Sequence, residues 1–404
     1  LRIAVVSPFI DRRHGTERAL AELLERLAHD YYCEIHLYAQ RVEDLDVRKS
    51  IPAPRPAQSA GIFWHKVPQI PGPHVVRFLA WMFCNGFLRK WHGAFGRVAY
   101  DLVLSPGINC LHPDVVIVHA LFHRLQELSR QEKGDAPAET GLFRRAHRRI
   151  YYGLLTALER RIYGDAGISL AAVSPRMGRL LKQYFGREDV CVVPNGVDTK
   201  HFSSPRRFAL RAAARQHRGF PDADLVLLLI GNDWRNKGLS AVLRAVAALP
   251  GLPLRLLVVG NDAAAPFRAL AAKLGVQDRC HWESPASDVL DFYAAADIYV
   301  SPSLEDSFGL PVAEAMACGL PVITSVNAGV SDLVRDGVDG FVLREPQDAG
   351  ALANLLQLLY ADLEMRRSVG EAAAKTAQQW DWNRNAAVVW EFLKNIAARK
   401  ASAR

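Results

Sequence analysis

The 404-residue sequence contains no run of eighteen or more uncharged apolar residues, so no segment is expected to cross a bilayer as a helix. Its six cysteines (Cys33, Cys84, Cys110, Cys191, Cys280 and Cys318) form no close pair. That scatter excludes a disulfide framework and a thiolate zinc site, and predicts reduced thiols in a cytosolic protein. No cluster of metal-ligand residues is visible. The opening Leu1-Arg2-Ile3-Ala4-Val5-Val6 lacks the apolar length and cleavage site of a secretory leader, and is expected to be a first strand. Half of the residues are hydrophobic and 23% are charged, which excludes a disordered or fibrous chain. At ~150 residues per domain, the length suggests two or three domains.

Acidic residues are the scarcer sign of charge, and their shortage is local. The net charge is +8. Residues 1–200 hold 28 Lys+Arg against 20 Asp+Glu, while residues 201–404 hold 22 of each, so the whole excess lies in the first half. That half is expected to meet something anionic. Between Gly141 and Gly164, six arginines (Arg144, Arg145, Arg148, Arg149, Arg160 and Arg161) face one acid, Glu159. Phe143, Ile150, Tyr151, Tyr152, Leu154, Leu155, Leu158 and Tyr163 are interleaved with them. At helical spacing the two kinds can separate onto two faces, so 141–164 is a candidate contact with an anionic membrane surface. The plain alternative is a solvated surface helix. Val75–Leu88, with Trp81, Met82 and Phe83 and only Arg77 charged, is followed by Arg89-Lys90-Trp91. It is too short to span a bilayer, and a buried core helix is expected rather than a membrane-inserting one. No recognition fold or stacking platform accompanies the basic segment, so nucleic acid is not an expected partner.

Short apolar strands alternate with helices along the chain. Ile3–Val6, Glu34–Tyr38, Leu102–Leu104, Val115–Val118, Ile168–Val173 and Cys191–Val193 read as strands, and Arg18–Ala28 as a helix. Ile51–Pro73 carries six prolines and reads as a loop. In the second half Leu225–Ile230, Leu254–Val259, Ile298–Val300 and Val322–Thr324 read as strands. Leu239–Ala248, Pro266–Leu274, Ser287–Ala295 and Pro311–Ala317 read as helices. The alternation predicts an α/β protein of two doubly wound parallel domains facing a central cleft. The Pro194–Pro205 segment sets the boundary, giving domains 1–197 and 198–384, with a helix of about 385–404 packing back on the first. Ligands bind beyond the carboxyl ends of such strands, which places function in the loops that follow them.

Three loops can carry chemistry. The first, Phe9 to Glu17, contains Gly15 ahead of a helix N-terminus, which favours an anion, although a structural turn is the default. It is not the GxGxxG fingerprint of dinucleotide folds. The second, Gly231-Asn232-Asp233-Trp234-Arg235-Asn236-Lys237-Gly238, sets a lysine beside a helix terminus. A diphosphate leaving group needs that arrangement. It is no Walker A loop either. The third runs from Ser303 to Gly319. Pro311 suits a first helical turn, so Phe308, Gly309 and Leu310 should present backbone N–H groups. Glu314 follows in an otherwise apolar helix, where a carboxylate is costly unless it meets hydroxyls or cations; ribose would supply hydroxyls.

These loops resemble retaining glycosyltransferases of family 4, which have the GT-B fold of two Rossmann-like domains. The likeness rests on His14-Gly15-Thr16-Glu17-Arg18, on Val193-Pro194-Asn195-Gly196-Val197-Asp198 with Phe202, and on Gly231 to Gly238. Above all it rests on Glu305 to Gly319, which is similar to the family's Glu-x7-Glu motif followed by Ala-Met-Ala-Cys-Gly-Leu-Pro-Val. Arg144–Tyr163 also resembles a helix of lipopolysaccharide-core glucosyltransferases. The resemblance implies that Glu314 holds the donor ribose and that Asp306 contacts the transferred sugar, with the adjacent Glu305 able to serve instead. It implies a diphosphate contact from Lys237 and contacts to the sugar or diphosphate from the N–H groups of Phe308–Leu310, with Gly15 and Thr16 admitting the donor. Asn232 stands where relatives often carry arginine, and Arg235 can substitute. His14 stands where many have a second glycine. His119, after Val115–Val118, sits where relatives place an active-site histidine. His112 and His123 compete for that role, and a histidine that merely satisfies local backbone groups is the plain alternative.

The activity so implied is retaining, metal-independent transfer from a UDP-, GDP- or ADP-sugar to a glycan or lipid-linked hydroxyl at the inner face of the cell membrane, with no cofactor. Rivals are a GT-B sugar-nucleotide epimerase, a phosphorylase, for which no Schiff-base lysine is identified, and a non-catalytic two-domain sugar-binding protein.

Overall fold

The computed structural model describes residues 1–48, 60–94, 98–131, 142–286 and 288–403. The chain divides into two compact units: Leu1–Pro194 with Asn385–Arg404, and Asn195–Arg384.

In the first unit, β1 (Arg2–Val6) is apolar and buried on both faces from Ile3 onward, as a strand inside a covered parallel sheet must be. A two-residue β2 (Phe9–Ile10) leads into α1 (Gly15–His29), whose buried Leu20, Leu23, Leu24 and Leu27 recur at helical spacing. Then follow β3 (Glu34–Ala39), the short β4 (Arg41–Val42), β5 (Gly61–Lys66) and α2 (His74–Ala94). The chain continues through β6 (Leu102–Pro106), β7 (Val115–Val118), α3 (Phe122–Gln131), α4 (Leu142–Tyr163), β8 (Ser169–Ala172), α5 (Pro175–Phe185) and β9 (Cys191–Val192). The main sheet has the order β5-β3-β1-β6-β7-β8-β9, and its pairings are parallel. The strand order reverses between β1 and β6.

Two expectations need correction here. The proline-rich stretch Ile51–Pro73 is not all loop: Gly61–Lys66 pairs in register with Glu34–Ala39 as the edge strand β5. The six prolines lie outside those residues and so leave every ladder N–H of the strand in place. The Val75–Leu88 helix is also longer than expected and is not a core helix. Trp81, Met82 and Asn85 are buried, but Phe83 and Phe87 are exposed.

The second unit repeats the design. It contains α6 (Ser204–Arg218), β10 (Leu225–Ile230), α7 (Leu239–Ala247), β11 (Leu254–Val259), α8 (Ala264–Lys273), β12 (Cys280–Glu283) and α9 (Leu290–Ala295). It goes on through β13 (Ile298–Ser301), α10 (Leu310–Ala317), β14 (Val322–Ser325), β15 (Phe341–Leu343), α11 (Ala349–Ala361) and α12 (Leu363–Ala377). The sheet order is β12-β11-β10-β13-β14-β15, again parallel, so the order reverses between β10 and β13. The helix expected from Ser287 begins instead at Leu290, whose N–H is taken by the Asp288 carboxylate at 2.9 Å; Ser287 lies outside the described residues.

The last helix, α13 (Trp382–Ser402), continues past Arg384 on the first unit. There Asn385 Nδ2 donates to Pro194 O at 2.6 Å, Trp390 stacks on Tyr31, and Lys400 pairs with Asp114 at 2.6 Å. All six cysteines are free thiols.

Candidate active site

In the second unit, the loops after β10 and β13 lie at the reversal of strand order, the position where open α/β sheets bind ligands. Asn236 joins the two loops. Its Nδ2 donates to Glu305 O at 2.7 Å, its Oδ1 accepts from Glu305 N at 3.1 Å, and its own carbonyl accepts from Leu304 N at 2.7 Å. The next residue, Lys237, places Nζ 2.5 Å from Asp306 Oδ2, with both side chains largely but not wholly buried. Gly238 turns the chain into α7 at φ +76°, and a Cβ there would lie 2.2 Å from Pro302 O. Only glycine fits that backbone and that gap.

Asp306 is held in place from several sides. Its N–H donates to Asn327 O at 3.0 Å and its carbonyl accepts from Gly329 N at 2.9 Å. Gly309, at φ +97°, caps α10. Of the three N–H groups expected to face a ligand, that of Phe308 is engaged weakly by Asp306 Oδ1 at 3.3 Å, and its side chain is core. Those of Gly309 and Leu310 have no hydrogen-bond partner among the described residues. They point from the positive end of α10, where an anion is favoured.

Glu314 is buried one turn into α10, and a hydroxyl does meet it, but from within the chain. Tyr293 on α9 donates its OH to Glu314 Oε2 at 2.7 Å. Burial, and then the neighbouring carboxylate, hold the Tyr293 phenol well above its usual range, so it remains a donor. Asn232 Oδ1 accepts from Asn261 N at 2.9 Å, and Arg235 is exposed. The structure thus brings Lys237, Glu305, Asp306, Gly309 and Leu310 to one end of the sheet.

The first unit places Gly15 and Thr16 in the first turn of α1, just beyond β1. The turn is built by Asp11, whose Oδ1 accepts from Arg13 N at 2.9 Å and His14 N at 3.0 Å, while Oδ2 faces His14 Nδ1 at 2.9 Å. His14 has an ordinary extended backbone, which is why a second glycine is not needed there. His119 follows β7 and is buried, and burial lowers its imidazole to about 4, so the ring is neutral at pH 7. Among the described residues its ring has no hydrogen-bond partner. The competing histidines differ. His112 is exposed, and His123 Nδ1 is engaged at 2.6 Å by Glu159, which also accepts from the N–H groups of Phe122 and His123. Glu159, Asn236, Tyr293 and Asp11 were not marked as site residues by sequence reasoning. Asn236 alone had a local signal, as a polar residue next to Lys237.

Two parallel doubly wound units, each with open loops at its switch point, define a GT-B architecture. Residues 13–201 match the model of Glycosyltransferase Family 4, and residues 211–376 match that of Glycosyl transferases group 1. The chain thus carries a Glycosyltransferase Family 4 domain followed by a Glycosyl transferases group 1 domain. It is similar to the D-inositol 3-phosphate glycosyltransferase of Xylanimonas cellulosilytica, with 33% identity over 218 residues covering 52% of each chain. It is also similar to the lipopolysaccharide glucosyltransferase WaaG of Escherichia coli, with 32% identity over 194 residues covering 47% of this chain and 52% of WaaG. The chain thus spans about half the length of the curated relatives it matches. A crystal structure of WaaG superposes with a TM-score of 0.76 over 97% of this chain and 99% of WaaG, at 23% identity. HepE of Anabaena, solved with UDP-glucose, gives 0.69 over 98% and 99% at 18% identity. These two likenesses establish the fold.

Proposed function

We propose that the chain is a retaining, metal-independent glycosyltransferase that moves a sugar from a UDP-, GDP- or ADP-sugar to a hydroxyl of a lipid-linked or cell-envelope glycan. The observation that carries the reading is the meeting of Lys237, Asp306 and the tip of α10 at the switch point of the second unit. In this reading Lys237 and the N–H groups of Gly309 and Leu310 receive the diphosphate, Glu314 receives the ribose, and Asp306 or Glu305 receives the transferred sugar. By the family resemblance Gly15 and Thr16 admit the donor, and the neutral His119 hydrogen-bonds the transferred sugar.

The bond from the anomeric carbon to the diphosphate breaks as an oxocarbenium-like sugar forms. The acceptor oxygen then bonds to that carbon on the same face, and its proton passes to the departing diphosphate oxygen. No protein base is required. Lys237 and the α10 dipole stabilise the charge that develops on the leaving group, with groups that are already in position before reaction.

The relatives' names, an inositol 3-phosphate and a lipopolysaccharide transferase, agree with an anionic or envelope acceptor. So does the positive charge of the first half. Among the described residues no helix is long and apolar enough to cross a membrane. We infer peripheral attachment at the inner face of the cell membrane through 141–164. The side chains of Arg144, Arg145 and Arg148 in that segment lie outside the described residues. Product analysis with labelled sugar nucleotides tests the reading: a glycosylated acceptor supports it, an isomerised sugar nucleotide indicates an epimerase, and no turnover indicates a binding protein.

A further inference from the structure

The two faces of α2 differ sharply in their surroundings. On the inner face Trp81, Met82 and Asn85 are buried, Arg89 reaches Cys110 Sγ at 3.1 Å, and His92 Nδ1 lies 2.8 Å from the Tyr38 hydroxyl. These contacts recur every three or four residues and fix the roll of the helix. The opposite face carries Val76 (48% exposed), Leu79 (50%), Phe83 (74%), Phe87 (54%) and Trp91 (50%). At 3.6 residues per turn those five fall within about a third of the circumference. Phe83 stacks on Phe87 at 6.4 Å, and Phe87 meets Trp91 at 5.9 Å, so the stripe is continuous. A continuous exposed apolar stripe of this kind marks an interaction surface.

The surrounding charge names the partner. Residues 51–100 contain six Lys+Arg and no Asp or Glu. Arg77 and Lys90 are exposed on α2. Beside it runs α4, whose Tyr151 lies 6.4 Å from Phe78 and 6.1 Å from His74. Its Arg149, Arg160 and Arg161 are exposed, and Glu159, its one acid, is fully buried against α3. The two helices are therefore apolar along the outer face of α2, cationic around it, and carry no exposed acid of their own. Against a second copy it would bring like charges together, because a two-fold contact repeats the same patch on both sides. Against an anionic bilayer both features are favourable.

We propose that α2 lies in the interface of an anionic phospholipid bilayer with Leu79, Phe83, Phe87 and Trp91 inserted, while α4 supplies charge rather than depth. The proposal extends the membrane-facing reading of 141–164 and assigns insertion to a different helix. Its test needs neither donor nor acceptor, so its failure leaves the transferase reading to be judged by product analysis alone.

The full chain is sedimented with vesicles of phosphatidylcholine alone and of equal parts phosphatidylcholine and phosphatidylglycerol. Binding should be confined to the anionic vesicles and should fall on the order of tenfold in Phe83→Ser/Phe87→Ser. Vesicles of brominated lipid should quench tryptophan fluorescence, and Trp91→Phe should remove most of that quenching; this reading leaves the phenylalanines intact. Equal binding by Phe83→Ser/Phe87→Ser, or equal binding to neutral vesicles, overturns the proposal. So does loss of binding in Arg160→Gln/Arg161→Gln together with quenching that Trp91→Phe does not change. A dimer in solution that the phenylalanine variant dissolves, without vesicle binding by the parent, would assign the stripe to a second copy and also overturn it.

Discussion

Lys237 Nζ and Asp306 Oδ2 lie 2.5 Å apart, although 69 residues separate them and they stand on loops from different strands. Before donor binds, the cation proposed for the diphosphate is thus neutralised by the carboxylate proposed for the sugar. A donor that engages both must insert its own charge into this pair, and the pair keeps Lys237 aimed at the switch point until then.

Removing each partner should have opposite effects on nucleotide affinity. Asp306→Asn releases Lys237 and should raise affinity for the bare nucleoside diphosphate a few-fold, while sugar transfer falls. Lys237→Ala should lower both, with kcat down by about 10²–10³, the loss typical of a preorganised electrostatic group. Titration calorimetry with the diphosphate and an initial-rate assay separate the two variants.

Tyr293→Phe deletes the phenol that donates to buried Glu314 at 2.7 Å. A buried carboxylate deprived of a donor costs about 1–3 kcal/mol, which urea unfolding should register. If Glu314 also receives ribose, Tyr293→Phe should weaken sugar-nucleotide binding as well, because the carboxylate is then less fixed. A stability equal to the parent would show that Glu314 is satisfied without Tyr293.

His119 gives a pH dependence of definite sign. Burial lowers its folded pKa to about 4, whereas the unfolded imidazole titrates near ~6.5. Between these values the unfolded chain takes up a proton that the folded chain refuses, so stability falls as the pH drops from about 6.5 towards 4. The contribution between pH 7 and pH 5 is about 2 kcal/mol. His119→Gln should lose less stability over that interval than the parent, as measured by urea midpoints at the two pH values.

Gly238 and Gly186 are both left-handed, at φ +76° and +69°. A Cβ at Gly186 meets nothing within 4 Å, while one at Gly238 meets Pro302 O at 2.2 Å. Gly186→Ala should therefore cost only the conformational term, about 1 kcal/mol. Gly238→Ala should cost several times more and separate the two loops. Melting temperatures of the two variants give the comparison.

The parallel sheets were legible because Leu225–Ile230 is an unbroken apolar run closed by Gly231, and Leu254–Val259, apolar except for Arg255, is bounded by Pro253 and Gly260. The site loops were legible because Gly309 and Pro311 mark a helix start locally. What escaped depends on contacts between distant residues. Asn236 binds a loop 69 residues away, and Tyr293 meets Glu314 across 21. β5 was masked by the prolines on either side of it. The outward face of α2 could not be read, because apolar residues occupy both of its faces and periodicity then names no interior.

The most direct measurement is titration of the full chain and Lys237→Ala with UDP-, GDP- and ADP-sugars, followed by calorimetry and thermal unfolding. One sugar nucleotide should bind and raise the melting temperature of the parent, by about 2.7 kcal/mol of stability at a hundredfold excess over Kd. Lys237→Ala should lose most of that binding. If none of the sugar nucleotides binds, or if Lys237→Ala binds as tightly as the parent, the donor site is not where Lys237, Asp306 and α10 meet.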